Sequence, residues 1–431
     1  MKVSEERIEV NAKNILNISV DVASKKLDFY FEICQPTTRK TYRKEIANRS
    51  LAIADFLKEC YALALANNFD NIRIVCEPTG PYAINLLNVA LSLNFLTAYV
   101  NPEAVSKSKV IETNSTGKTD LIDAKVIFSL AQQGHTLIHR TYSKEYAQLR
   151  EFGKHYDDVE NDYTRARCHI SSILQLLWPD YSLKLDNIYS KAGQVLFHQY
   201  GLNPWLITKR GKANFFKIMR SKAKGVRNST LEKTWSDAET TCMHNSSDLA
   251  STNQENLAYH YQSYLHCEDR KVWLQNKMKQ ILSVIRQSDK NIPKARKNFV
   301  SEANIARLLG ETGPIADFKD YKQLQSYIGM NLKERQSGNY KGKTRLCKKG
   351  RPLARKILSQ IVLALTQESR LYGQAYHDKK TKTGKPGTLV MTNFMRKFLK
   401  AFRGIYFSKQ EFNEMRLFMD LSNYNKCFNA A

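Results

Sequence analysis

The sequence predicts an α/β domain followed by mainly helical regions, and three observations predict it. Over residues 12–145, period-two apolar strands give way to alternating helix-period and strand-period segments. Over residues 146–295, a heptad array of apolar residues leads a long connector. Over residues 296–431, helix-period segments flank a basic loop broken by glycines, so a chain of 431 residues is expected to bury two or three separate cores.

After a charged leader, NILNISVDVA reads as a strand ending near Asp21. LDFYFEI repeats the alternation with Leu27, Phe29, Phe31 and Ile33 on one face, and Ser24, Lys25 and Lys26 suit a hairpin between the two strands. TYRKEI is a third short strand. SLAIADFLKECYALALANN is apolar at helical spacing through Leu51, Ala54, Phe56, Leu57, Leu63 and Leu65, with Asn48 placed to cap it. NIRIVCE is then a buried strand, PYAINLLNVALSLN a helix with Pro81 at its start, FLTAYV a strand and TDLIDAKVIFSLAQQ a helix. Three strands able to pair as an antiparallel meander, followed by helices and strands in alternation, match a ribonuclease H-like pattern better than an all-parallel sheet.

That order gives four acids a meaning. Asp21 falls on the first strand, Glu77 at the carboxyl end of the fourth, and Asp120 and Asp123 lie one turn apart on a helix, on one face. Carboxylates converging at a sheet edge repel one another unless cations sit among them. Hard oxygen ligands favour Mg²⁺ or Mn²⁺, which can clamp the attacking and leaving oxygens of a phosphodiester about 4 Å apart. Taken singly, each acid has a plainer explanation as a helix cap or a solvated charge. That explanation is weakest for Asp21, whose neighbours Ile18, Val20 and Val22 mark a buried strand, and strongest for Asp120, beside the capping residue Thr119.

In the connector, Leu149, Tyr156, Tyr163, Ile170 and Leu177 stand seven apart, with Phe152, Val159, Ala166 and Ile173 interleaved. A poorer seam runs through Tyr264, Cys267, Leu274, Met278, Ile281 and Ile285, broken by Lys271, so a coiled-coil pairing is expected within one chain or between chains. The segment from Pro179 to about Ser251 is an insertion carrying the basic stretch ITKRGKANFFKIMRSKAKGVR, suited to phosphates.

Further on, ANIARLLGETG is a helix running into a glycine stop, and FKDYKQLQSYIGM is a second helix. From Lys333 to Lys356, ten Lys or Arg then stand against one acid, Glu334, interrupted by Gly338, Gly342 and Gly350. The glycines let backbone approach phosphates, and Arg335, Lys341, Lys343, Arg345, Lys348, Lys349, Arg351 and Arg355 supply charge. An ordered phosphate-binding loop presenting Ser337 is therefore expected. A serine before glycine is ordinarily a turn residue, no Ser-His-Asp arrangement is visible, and Tyr340 is a rival hydroxyl.

Composition narrows the partners. With 67 Lys and Arg against 41 Asp and Glu, formally +26, the chain concentrates polyanions around itself, and nucleic acid is the first candidate. No long apolar run or N-terminal signal favours a membrane, which places the chain in the cytoplasm. Eight cysteines without a Cys-x-x-Cys pair indicate reduced thiols rather than a disulfide framework or zinc ribbon.

Taken together, ISVDVASKKLDFY, VCEPTGPY, KTDLIDAKVI and LLGETGPIADFKDYKQLQSYIGMNLKERQSGNYKGKTRLCKKGRPLARKIL resemble the DEDD transposases of bacterial insertion sequences, the insertion-sequence one-hundred-and-ten family and its eleven-eleven subgroup. The resemblance implies a RuvC-like N-terminal domain whose tetrad is Asp21, Glu77, Asp120 and Asp123, and a C-terminal transposase domain in which Ser337 forms a covalent phosphoserine link to DNA. It also implies a structured guide RNA, or bridge RNA, encoded beside the gene. This RNA recognises donor and target DNA for a homo-oligomer, dimer to tetramer, at the bacterial nucleoid. Two rivals stay open: a metal-dependent, structure-selective nuclease related to junction resolvases, in which Ser337 only turns the chain, and an inactive nucleic-acid-binding protein that kept the fold.

Overall fold

The structure, a computed structural model, describes residues 14–34, 38–113, 120–296, 300–334, 336–337, 340–342, 345–368 and 370–410, with the backbone alone described at Asp120, Ser337, Tyr340 and Lys341. It divides into two compact units, Met1–Thr141 and Tyr142–Ala431.

In the first unit β1 (Ile15–Val22), β2 (Lys26–Cys34) and β3 (Arg39–Ala47) form an antiparallel meander. The chain continues through α1 (Ser50–Ala66), β4 (Asn71–Cys76), α2 (Tyr82–Ser92), β5 (Leu96–Val100), α3 (Pro102–Thr113), α4 (Asp120–Gln132) and β6 (Thr136–Ile138). The sheet order is β3-β2-β1-β4-β5-β6, with β1, β4 and β5 parallel and β6 antiparallel to β5. Neither α3 nor β6 is expected from the sequence.

Period-two alternation sends Leu16, Ile18, Val20 and Val22 to one face, where they meet Leu27, Phe29 and Phe31 of β2. Ile53, Phe56, Leu57, Cys60 and Ala64 of α1 and Leu86 and Leu87 of α2 cover that face. Each large side chain so buried contributes roughly 1.5–3 kcal/mol of transfer free energy. Asn48 does not cap α1, contrary to the expectation. Its amide donates to the carbonyls of Ala23 (3.0 Å) and Tyr82 (3.1 Å), and Arg49 holds the cap position without a side-chain bond.

The opposite face of β1 and β2 is polar, carrying Asn17, Ser19 and Asp21 beside Glu32, Tyr30 and Asp28. Hydrogen bonds offset most of the cost of burying such a face. Ser19 Oγ donates to the Tyr30 carbonyl at 2.6 Å, the Tyr30 hydroxyl donates to Glu32, and Arg39 Nε donates to Glu32 at 2.7 Å. α4 packs on this side, with Phe128 edge-on to Tyr30 and Val126, Ile127 and Leu130 against Val75 and Val100.

The second unit is built on α5 (Lys144–Leu177), followed by α6 (Lys191–Tyr200), α7 (Pro204–Lys209), α8 (Lys212–Lys222), α9 (Asn228–His244) and α10 (Ala250–Ser288). α5 and α10 pair antiparallel within the one chain. Phe152 meets Trp273, Tyr163 meets Tyr264, and His169 stacks on His260. Lys271, which interrupts the second seam, lies 4.2 Å from the Tyr163 ring centre and pairs with Glu160 at 3.5 Å, so its charge is accommodated.

The heptad seam serves two cores. Its upper part, Ala166, Ile170, Leu174 and Leu177, joins Leu257, Tyr261 and the insertion helices, which makes the insertion a folded module. Leu149, Tyr156, Leu274, Met278 and Ile285 instead join a C-terminal core. That core gathers α11 (Glu302–Thr312), α12 (Tyr321–Ile328), α13 (Pro352–Glu368), α14 (Arg370–Thr383) and α15 (Gly387–Ser408). Between α12 and α13 lie β7 (Leu332–Lys333), β8 (Gln336–Ser337), β9 (Tyr340–Lys341) and β10 (Arg345–Leu346). Among the described residues no helix is long and apolar enough to cross a membrane.

Candidate functional site

β1 and β4 run parallel in the register Ile18 to Ile74, Ser19 to Val75 and Val20 to Cys76. The next step sets Asp21 beside Glu77, at the carboxyl ends of the two central strands and on the face that α4 covers. α4 carries Asp123, half-buried, one turn beyond Asp120 at its first position. Across the antiparallel ladder Asp21 also stands opposite Asp28, which pairs with Lys26 at 3.5 Å. Attention to the apolar side of LDFYFEI passes over Asp28, although the same alternation places it on the acidic face.

Electrostatics show that these acids share one locality. Burial raises the Glu77 carboxyl above its ordinary value, Lys109 pulls it down, and Asp21 and Asp123 push it up again. Lys109 comes from α3 and pairs directly with Asp123, the two side chains being 22% and 15% exposed. Sequence reasoning misses it because PEAVSKSKVIET has too little apolar periodicity to announce a helix.

Among the described residues no three Asp, Glu, His or Cys side chains already stand at metal-binding distance from one another. The donor set still fits a hard divalent cation, because its described members are carboxylates close enough for Asp21 and Asp123 to add to the effect of burial on Glu77, with the ammonium of Lys109 beside them.

The basic loop of the second unit is a β-ribbon. β7 pairs with β10 at its base, and β8 pairs with β9 beyond it, setting Ser337 opposite Tyr340. Its root is a close backbone crossing. A Cβ on Gly350 would lie 2.4 Å from the Tyr327 carbonyl oxygen, and one on Gly329 2.5 Å from that of Lys349. These glycines therefore serve backbone packing, with Lys348 N donating to the Gly329 carbonyl at 3.2 Å.

Arg345, Lys348 and Lys349 are exposed, whereas Arg335 and Lys343 lie outside the described residues and Lys341 is placed by its backbone in β9. Arg351 and Arg355 have structural partners. Arg351 donates to the Tyr327 hydroxyl at 3.2 and 2.9 Å, and Arg355 to the Ile328 carbonyl at 2.8 Å. Both arginines thus tie the start of α13 to α12.

A model of DEDD transposases of the IS110 family matches residues 18–179, a span that runs from β1 through α5 and contains all four acids. A model of the transposase IS116/IS110/IS902 family matches residues 300–378, which contain the ribbon and Ser337. No curated protein matches the chain. The insertion module lies in neither matched span.

Proposed function

This chain belongs to the transposase IS116/IS110/IS902 family, and from that membership we propose that it recombines DNA through a metal-bound tetrad, Asp21, Glu77, Asp120 and Asp123, together with the hydroxyl of Ser337. The observation that carries the reading is the pair of acids at adjacent strand ends, Asp21 and Glu77, with Asp123 near enough for its charge to act on Glu77. The sheet order supports a RuvC-like fold, in which acids at the ends of the central strands hold the ions. Mg²⁺ or Mn²⁺ bound there supplies Lewis-acid polarisation of the phosphodiester and offsets its developing charge.

The Ser337 oxygen then bonds to the scissile phosphorus as the bond from phosphorus to a deoxyribose oxygen breaks. Serine gives up its proton, and the departing oxygen takes one up. Attack by the hydroxyl of a second DNA end reverses the step and frees the serine. A guide RNA from the flanking element and a dimer-to-tetramer assembly complete the reading; the net charge of +26 supports a polyanionic partner such as the RNA.

Asp21→Asn and Asp123→Asn should each abolish Mg²⁺-dependent strand cleavage while leaving the circular dichroism unchanged. Cleavage surviving in either variant would remove the acids from the chemistry. Ser337 facing Tyr340 across β8 and β9 also suits a residue that merely shapes the hairpin, which favours a second reading as a plain nuclease. In that case Ser337→Ala leaves cleavage intact, whereas the recombinase reading requires it to lose the covalent adduct.

A further inference from the structure

The helical module between α5 and α10 has a core of its own, with Trp178, Tyr200, Phe215 and Tyr261 fully buried. One stretch of it carries a single sign of charge. From Asn187 to Leu231 there is no Asp or Glu, against nine Lys and Arg. On α8, burial of Phe215, Phe216 and Met219 turns Lys217 and Arg220 outward, and Lys224 follows, exposed, in the turn after the helix. Lys209 and Arg210 precede this face in the chain and Arg227 follows it, all exposed.

Little within the protein neutralises the patch. Lys212 pairs with Glu232 at 2.8 Å, but among the described residues no acid pairs with Lys209, Arg210, Lys217, Lys224 or Arg227. The rings that these cations stand against are covered. Tyr200 is buried with Arg210 5.5 Å from its centre, and Phe216 has Arg220 at 5.4 Å and Lys212 at 5.8 Å. Single strands are gripped by stacking bases on exposed aromatic faces, whereas a duplex offers its phosphates to cations alone.

We propose that this module is a sequence-independent docking surface for duplex DNA, additional to the surfaces within the two family-matched spans. The choice of DNA over another polyanion rests on the transposase reading; the patch itself does not. Binding needs no catalysis, so the two ideas fail separately.

The test uses the full chain with Lys209→Gln, Lys217→Gln, Lys224→Gln and Arg227→Gln combined, exposed positions whose side chains are outside the core. Fluorescence anisotropy would follow binding to a random DNA duplex of about three helical turns, roughly 30 base pairs, to an RNA duplex of that length and to single-stranded DNA, each across a salt series. The slope of log affinity against log salt for duplex DNA should fall by about 0.9 for each phosphate that the variant no longer neutralises, roughly 3 to 4 in all, with single-strand binding little changed. An unchanged duplex-DNA slope, an equal weakening on single strands, or a weakening confined to duplex RNA would overturn the proposal. If wild type cleaves DNA and the variant binds the duplex unchanged, the module alone is refuted; wild type that binds no DNA refutes the transposase reading as well.

Discussion

Replacing Lys109 by Met keeps the aliphatic stem and removes the ammonium that faces Asp123 and acts on Glu77. Breaking a buried ion pair costs about 3–5 kcal/mol, and an exposed one under about 1 kcal/mol. With the two side chains 22% and 15% exposed, the expected loss lies between, about 2–3 kcal/mol by the same scale. A divalent cation at a hundredfold excess over its dissociation constant contributes about 2.7 kcal/mol, enough to offset that loss. Scanning calorimetry of the full chain should therefore show Lys109→Met melting several degrees below wild type in chelator. Mg²⁺ should raise its transition more than it raises wild type, because no ammonium competes for the acids. A variant as stable as wild type in chelator, or a Mg²⁺ response no larger than wild type's, would refute the idea that Lys109 acts as the internal counter-charge of the acidic centre.

Gly350→Ala places a side chain at φ +139° and 2.4 Å from the Tyr327 carbonyl oxygen, so it should lower the denaturation midpoint of the second unit, with a cost of about 2–5 kcal/mol. An unaltered midpoint would contradict the close crossing at the ribbon's root. His139 accepts or donates a 2.9 Å bond at Thr97, and burial lowers its pKa from 6.5. Its unfolded form binds a proton first as pH falls, so its contribution is complete above 6.5 and is lost below that value toward the lowered folded pKa. Urea unfolding of the first unit should weaken over that window and weaken less in His139→Gln; identical pH dependence in both proteins would count against the buried, neutral ring.

Much of the first unit is legible because its strands alternate and its helices are apolar at three- and four-residue spacing, which marks β1 to β5 and the positions of Asp21 and Glu77. The polar face is harder to read. Ser19 sits in a strand buried on both sides, where its hydroxyl bonds the Tyr30 carbonyl, so alternation between apolar and polar residues there signals a buried polar layer rather than solvent. Lys109 is invisible because its helix lacks an apolar stripe and its partner lies fourteen residues away by sequence numbering. In the middle region the heptads announce long helices but not their division between two cores, since heptad spacing specifies a stripe and not what covers it. The basic count around Ser337 does not show that Arg351 and Arg355 also spend donors on Tyr327 and Ile328. Charge composition records how many cations a segment carries, while the bonds made at its root depend on backbone crossings that only the fold reveals.

The central claim is that a serine of the ribbon joins DNA covalently in a reaction that depends on the acids. It is tested most directly by digesting the trapped protein–DNA complex and locating the attached nucleotide by mass spectrometry. The account predicts a phosphodiester on Ser337, formed in Tyr340→Phe but absent from Ser337→Ala and from Asp21→Asn. A nucleotide found on Tyr340, or an adduct that persists in Ser337→Ala, would contradict it.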